Sequence, residues 1–98
     1  MTFQRIVRPI ARSELAESSA WYESRKDGLG VELVMAVEAV FGEITTQPNR
    51  FPIAVGDIRE APVTGFPFCV YYRVRGDRVI VLAVFHTARD PSIWQSRS

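Results

Sequence analysis

Two apolar, strand-like runs in the last third of the chain are joined by the dipeptide Gly76-Asp77. Glycine at the first central position is typical of the type II′ turn that connects antiparallel strands through two residues. The pattern therefore predicts a long β-hairpin that ends near His86. Its strands are too apolar to lie in water, so the hairpin should form the centre of a sheet that other elements cover.

The turn fixes the register, because it pairs Arg75 with Arg78 and continues backwards along both strands. One face should then meet the helices; it carries Phe68, Val70, Tyr72, Val74, Val79, Val81, Ala83 and Phe85. The other face should be partly open; it carries Cys69, Tyr71, Arg73, Ile80, Leu82, Val84 and His86. Arg73 lies opposite Ile80, roughly 20 Å along the strand from His86. These two groups therefore cannot act on one substrate atom.

The first half of the chain predicts one strand and two helices. Residues 2–8 alternate like a strand, and helical periodicity begins near Ala11 and ends at residues 25–28. In the second helix, one apolar face is formed by Leu33, Val37, Val40, Phe41 and Ile44. The short link between the helices favours an antiparallel helical hairpin. In the first helix, Glu14, Glu17 and Glu23 should point away from the core, and Trp21 should pack.

Residues 48–54 are punctuated by proline and should form a loop, and a short strand should follow at residues 57–61. The order β-α-α-β-β-β describes one α+β domain over residues 1–98. In it, a helical hairpin lies on a small, mostly antiparallel sheet.

Composition limits the class of protein. The chain has 98 residues, a single cysteine and a net charge of +1. No apolar run is long enough to cross a membrane, and no signal-peptide pattern is present, so we expect a cytoplasmic protein. Residues 1–49 hold five basic and seven acidic side chains, whereas residues 50–98 hold seven basic and four acidic ones. Eleven of the twelve basic residues are arginine, which suits an anionic partner or reflects codon usage.

Few residues suggest chemistry. His86 is the only histidine, the residue type best suited to acid–base chemistry near neutral pH, but a catalytic role would need a partner and a cation close by. No second histidine or cysteine lies at ligand spacing, so we expect neither a metal nor a cofactor. Cys69 should be a buried, unreactive thiol. The tail places Trp94 between Arg89 and Arg97, which suits either partner recognition or a cap over the sheet.

An ordered set of residues spans nearly the whole chain. It comprises Glu17, Trp21-Tyr22-Glu23, Gly28-Leu29-Gly30, Pro48, Phe51-Pro52, Arg59, Phe66-Pro67-Phe68, Tyr71-Tyr72-Arg73-Val74, Val81-Leu82-Ala83-Val84-Phe85-His86, Arg89-Asp90-Pro91, Trp94 and Arg97. This set resembles the ParE-type toxins of the RelE/ParE superfamily, whose fold has the element order predicted above.

The resemblance implies the toxin of a type II toxin–antitoxin pair, as found in plasmid stabilization. A cognate antitoxin would bind the helical hairpin and one sheet edge, form a hetero-oligomer with the toxin, and contact operator DNA on its behalf. ParE-like members inhibit DNA gyrase, whereas RelE-like members cut messenger RNA on the ribosome. The shared fold does not decide between these activities.

Two departures favour the gyrase inhibitor, a protein that is not an enzyme. RelE-like nucleases carry an arginine where this chain has Cys69, and a basic pair where it has His86-Thr87. The resemblance and composition together predict a target-binding set of His86, Arg89, Trp94 and Arg97. The alternative is a ribosome-dependent mRNA endonuclease that would use His86 and Arg89 with Arg59 as a phosphate clamp.

Overall fold

The computed structural model describes residues 2–97 and contains the predicted elements together with one additional strand and one short additional helix. Its elements are β1 (Gln4–Val7), α1 (Pro9–Arg25), α2 (Leu29–Thr46), β2 (Ile53–Val55), β3 (Ile58–Pro62), β4 (Phe68–Arg75), β5 (Arg78–His86) and α3 (Ser92–Gln95). The sheet order is β1-β5-β4-β3-β2, with β1 parallel to β5 and the other pairs antiparallel. The predicted α+β fold is confirmed. Strand β2 begins within the segment predicted to be a loop, residues 48–54, and ends one residue beyond it.

The helical hairpin depends on a tight link and a close helix contact. Gly28 adopts a left-handed conformation with φ of +88° before α2 begins. The Glu23 carboxylate accepts hydrogen bonds from the backbone N–H groups of Gly28 and Gly30, at 2.7 and 2.9 Å. Because these donors have no partner within α2, Glu23 acts as a cap supplied by α1. Gly30 lies against the backbone of α1 at Ser19.

The helices pack on one face of the sheet and form the helix-side core. Its buried residues are Ala11, Leu33, Val37, Val40, Phe41, Ile44, Ala61, Val63, Phe68, Val70, Tyr72, Val79, Val81 and Val84. The Tyr72 hydroxyl lies in this core and donates a 2.6 Å hydrogen bond to the Pro48 carbonyl. The bond anchors the connection that follows α2, so a buried polar group is satisfied where the chain leaves the helical layer.

A β-bulge interrupts the central hairpin. Tyr72 pairs with Val81, but Tyr71 pairs with Ala83, so Leu82 is an extra residue on β5. The predicted register holds near the turn and fails beyond Val81. An extra residue reverses the alternation of side chains. Val84 therefore faces the helices, and the prediction that Ala83 and Phe85 do so was wrong.

The second face of the sheet is covered. The prediction that it would be partly open was therefore wrong. Here Ile58, Cys69, Tyr71, Leu82, Ala83, Phe85 and Trp94 form the tail-side core. The residues after β5 cross this face and include the short helix α3. The indole of Trp94 stacks on the Tyr71 ring with centroids 3.8 Å apart and an interplanar angle of 15°. The sheet therefore has a core on each face.

Two glycines of α2 provide a matched test of the helix contact. A Cβ at position 30 would fall against the Ser19 carbonyl oxygen, whereas a Cβ at position 42 meets nothing within 4 Å. We expect Gly30→Ala to lower the free energy of unfolding by at least about 2 kcal/mol, because the helices must separate. Gly42→Ala should raise it by about 0.5–1 kcal/mol, because alanine favours helix. Urea denaturation measures both, and equal effects would contradict the contact.

Candidate functional site

A groove between α1 and the end of the central hairpin collects the exposed aromatic and basic groups of this region. It has a volume of about 340 Å³ and is lined by Ser18, Trp21, Tyr22, Phe68, His86 and Arg89. Helix α1 supplies three of these residues because positions 18, 21 and 22 lie on one face of a helix. The β-bulge supplies the fourth contact, since it turns His86 towards the helices beside Phe68.

His86 is held at the groove by a local hydrogen bond and an aromatic contact. Its Nδ1 accepts a 3.0 Å hydrogen bond from the backbone N–H of Ala88. Its ring meets Phe68 edge-on, with centroids 5.1 Å apart. Because Nδ1 is an acceptor, the neutral imidazole carries its proton on Nε2. The groove therefore presents a hydrogen-bond donor, the Nε2–H group of His86.

Trp21 forms the exposed wall of the groove. Its side chain is 54% exposed, although the sequence predicted packing for it. One side meets Tyr22 edge-on at 5.1 Å, and the Arg25 guanidinium lies 4.6 Å from the indole centroid. These contacts hold a large apolar ring in water without burying it. Such rings often dominate protein–protein interfaces.

Glu14 links the groove to the tail, contrary to the prediction that it points away from the core. Its carboxylate is buried and forms two hydrogen bonds with the Arg97 guanidinium, at 2.9 and 3.0 Å. It also accepts 3.1 Å and 3.4 Å bonds from Val84 N–H and Arg89 Nη1. The Arg89 guanidinium is further placed over the Phe85 ring, 4.3 Å from its centroid. Glu14 therefore positions the groove's arginine.

Comparison with known families identifies a toxin family. A profile described as "ParE toxin of type II toxin-antitoxin system, parDE" matches residues 6–91. The chain belongs to the ParE toxin family. Curated protein sequences contain no match.

Among solved structures, the ParE-family fold recurs in one titled "Chromosomal ParDE TA system from P. aeruginosa". It superposes with a TM-score of 0.75 at 17% sequence identity, covering 87% of this chain and 96% of that one. At this identity the likeness concerns the fold. Within residues 2–97, no helix has both the length and the apolarity to cross a membrane.

The four predicted target-binding residues of this ParE-family chain divide into two pairs. His86 and Arg89 meet in the groove. Trp94 is only 3% exposed and lies in the tail-side core. Arg97 is largely buried, bound to Glu14, and donates to the Leu82 carbonyl at 3.3 Å. In this structure, Trp94 and Arg97 hold the tail against the sheet.

Arg59, the proposed phosphate clamp of the nuclease alternative, lies elsewhere. It pairs with Tyr72 on β4, whereas His86 pairs with Phe68. Phe68 and Tyr72 are four residues apart on β4, which corresponds to about 13 Å along the strand. Arg59 Nη1 donates to the Phe51 carbonyl at 2.6 Å and so holds the connection after α2. The structure therefore brings His86 and Arg89 together and excludes Arg59 from their groove.

The groove offers recognition groups but few catalytic ones. Its lining holds one imidazole and one guanidinium and contains no carboxylate, lysine or thiol. RNA cleavage through the 2′-hydroxyl needs a base and several cations around one phosphate. No group of three histidine, cysteine or acidic side chains that could hold a metal occurs within residues 2–97.

His86 and Arg89, which line the groove, were predicted from the sequence as site residues, whereas Trp21, which also lines it, and Glu14, which binds Arg89, were not. For Trp21 the sequence contains one signal, its position next to Tyr22 in a helix. Adjacent helical residues point about 100° apart, so one ring of such a pair is expected to be more exposed than the other. For Glu14 no sequence signal exists. Its burial depends on the bulge, which leaves Val84 N–H directed at the helix.

Removing Glu14 should destabilise the fold strongly. Glu14→Ala leaves the Arg97 guanidinium buried without its carboxylate, so we expect a loss of about 3–5 kcal/mol in the free energy of unfolding. Glu17→Ala removes an exposed glutamate from the same helix and should change it by no more than about 0.5 kcal/mol. Urea denaturation compares the variants. Similar losses in both would refute a structural role for the Glu14–Arg97 pair.

Cys69 should be unreactive in the native protein. Burial, followed by the nearby Glu60 carboxylate, raises the pKa of the Cys69 thiol to about 11. We therefore expect slow alkylation by iodoacetamide at pH 8 and rapid alkylation once urea unfolds the chain. The stabilisation from keeping this thiol neutral is complete below its unfolded pKa of about 8.5 and is lost as pH rises through 11. Equal alkylation rates in both states would contradict this burial.

Proposed function

We propose that residues 1–98 form one toxin domain that inhibits DNA gyrase by protein–protein contact and is held inactive by a cognate antitoxin. The toxin acts in the cytoplasm, needs no cofactor, and approaches DNA only through its antitoxin or its target. Such a pair would serve plasmid stabilization or the maintenance of another locus that encodes it.

The observation that carries this proposal is the chemistry of the groove. An exposed indole, an imidazole and a positioned guanidinium line one concave surface. Tryptophan and arginine are enriched among residues that dominate binding energy at protein interfaces. The Arg89 guanidinium is fixed by Glu14 and Phe85, so little side-chain entropy is lost when a partner binds it.

The nuclease alternative has less support. His86 could act as a base and Arg89 could contact a phosphate, but Arg59 is absent from the groove and bonded to the Phe51 carbonyl. A single cation beside the base gives weak stabilisation of a phosphorane-like transition state. The groove thus favours binding over cleavage.

For the antitoxin, we propose the outer surface of the helical hairpin and the β2 edge of the sheet. Helix α2 exposes Val31 and Met35, one helical turn apart, and β2 exposes Ile53. The similar solved structure is titled as a ParDE toxin–antitoxin system, which supports a complex of this kind. None of Val31, Met35 and Ile53 lines the groove, so mutations at these residues can separate antitoxin contacts from target contacts.

A gyrase supercoiling assay with antitoxin-free protein tests the proposal. We expect inhibition by the wild type and a loss of at least about tenfold in potency for Trp21→Ala, because a central aromatic contact is removed. Met35→Ala removes another exposed apolar side chain of the hairpin and should keep full potency. Circular dichroism confirms that both variants are folded.

A parallel translation assay tests the alternative. Reverse transcription of messenger RNA from translating ribosomes should reveal no new 5′ ends with the wild-type protein. Cuts at codon positions that disappear in His86→Ala, with supercoiling unaffected, would replace the gyrase proposal by the nuclease.

A further inference from the structure

Three arginines lie near the hairpin turn, on the face of the sheet that also carries the tail-side core. The side chains around them offer few carboxylates that could neutralise their charge. Arg73 and Arg75 alternate on β4, and Arg75 pairs directly with Arg78 on β5. Because side chains opposite each other share a face, all three lie together beside the Gly76-Asp77 turn. This end of the face lies beyond the region that Trp94 covers.

Among residues 2–97, Asp57 has the one carboxylate that forms ion pairs with this cluster. Asp57 binds Arg73 Nη2 at 2.9 Å through one oxygen and Arg75 Nη1 through the other. The Arg73 Nε is buried and has no hydrogen-bond partner among the residues that the structure describes. Arg78 has no side-chain partner anywhere in the part of the chain that the structure describes. The cluster therefore keeps a net positive charge.

The pairing of Arg75 with Arg78 is unfavourable in the free protein. Their Cβ atoms are about 5 Å apart, a distance at which like charges destabilise a strand pair. An opposite charge or a threonine at either position would be better for the sheet. Local choices that oppose stability are typical of functional sites.

Half-buried aliphatic side chains lie beside the arginines. Ile6 on β1 pairs with Ile80, and Gln4 pairs with Arg78, so the same face continues to the β1 edge. Ile80 packs against the tail-side core and keeps part of its surface accessible. An apolar strip thus adjoins the cationic cluster.

We propose that this face, formed by Arg73, Arg75, Arg78, Ile6 and Ile80, binds an acidic segment of a partner protein. A carboxylate of that segment bridges the Arg75 and Arg78 guanidinium groups, and a neighbouring aliphatic side chain packs on the isoleucines. Guanidinium forks match carboxylates with paired hydrogen bonds. The bound carboxylate also removes the repulsion between the two arginines.

A polypeptide fits this face better than a nucleic acid does. The protein has a net charge of only +1 and a pI of 7.9, without the strongly basic character of nucleic-acid-binding domains. The arginines adjoin aliphatic side chains rather than exposed rings on which bases could stack. The surface is also separate from the groove: it lies on the other face and at the other end of the hairpin. This inference does not depend on gyrase being the target.

Fluorescence anisotropy with a labelled peptide of alternating glutamate and leucine tests the site. We expect saturable binding that weakens with added salt and at least about fivefold weaker binding to Arg78→Gln, because one charge-assisted contact is lost. Arg12→Gln is the matched control, since Arg12 is exposed on α1 and has no side-chain partner among residues 2–97. It should bind the peptide like the wild type.

Thermal denaturation supplies an independent readout. Arg78→Gln should raise the melting temperature of the free protein by roughly 1–5 °C, because the repulsion with Arg75 disappears. Higher stability with weaker peptide binding supports the proposal. Unchanged peptide affinity in Arg78→Gln overturns it, as does a loss of affinity in Trp21→Ala, which would place the peptide in the groove. Tighter binding of a DNA duplex than of the peptide would also overturn it.

Discussion

The architecture depends on the outer edge of β5 beyond Val81, which pairs with no strand of residues 2–97. Strand β1 accompanies β5 only as far as Val81, because α1 begins at Pro9 and carries the chain away. Beyond that point, Glu14 accepts the Val84 N–H and Arg97 donates to the Leu82 carbonyl. Glu14 and Arg97, which are paired with each other, thus bind the backbone groups of β5 that a further strand would otherwise bind. Because buried backbone groups must be satisfied, the helix, the sheet and the tail are fixed relative to one another here.

The same pair joins the two layers of the molecule. Glu14 comes from the helical side, and Arg97 comes from the segment that covers the opposite face. Arg8 donates to the Arg97 carbonyl, which adds a tie to the start of α1. A buried ion pair gives little net stability over an apolar pair of equal volume, but it tolerates one arrangement only. Here that arrangement also places Arg89 at the groove.

Most of the fold could be predicted from the sequence, because its signals are local. The Gly76-Asp77 turn and the helical periodicity of residues 11–46 specify elements through short-range geometry, and the element order follows. Strand β2 escaped prediction because its three residues follow proline. The bulge could not be predicted because Leu82, Ala83 and Val84 are all apolar. The alternation of polar and apolar residues therefore does not show where the side chains change face. The candidate site was half predicted: His86 and Arg89 were identified by residue type, whereas Trp21 and Glu14 join the site through tertiary contacts.

The bulge also has a consequence for comparing this chain with any relative that lacks it. One extra residue in β5 decides which side chains of the strand's second half face α1. A relative with a regular hairpin would present its residue 85 equivalent, rather than residue 86, to the groove. A sequence alignment without a gap at the bulge would then compare side chains from opposite faces of the sheet. An alignment of this chain with such a relative would need a gap inside β5, where gaps are normally penalised, before any position after Val81 could be assigned to the groove or to the tail.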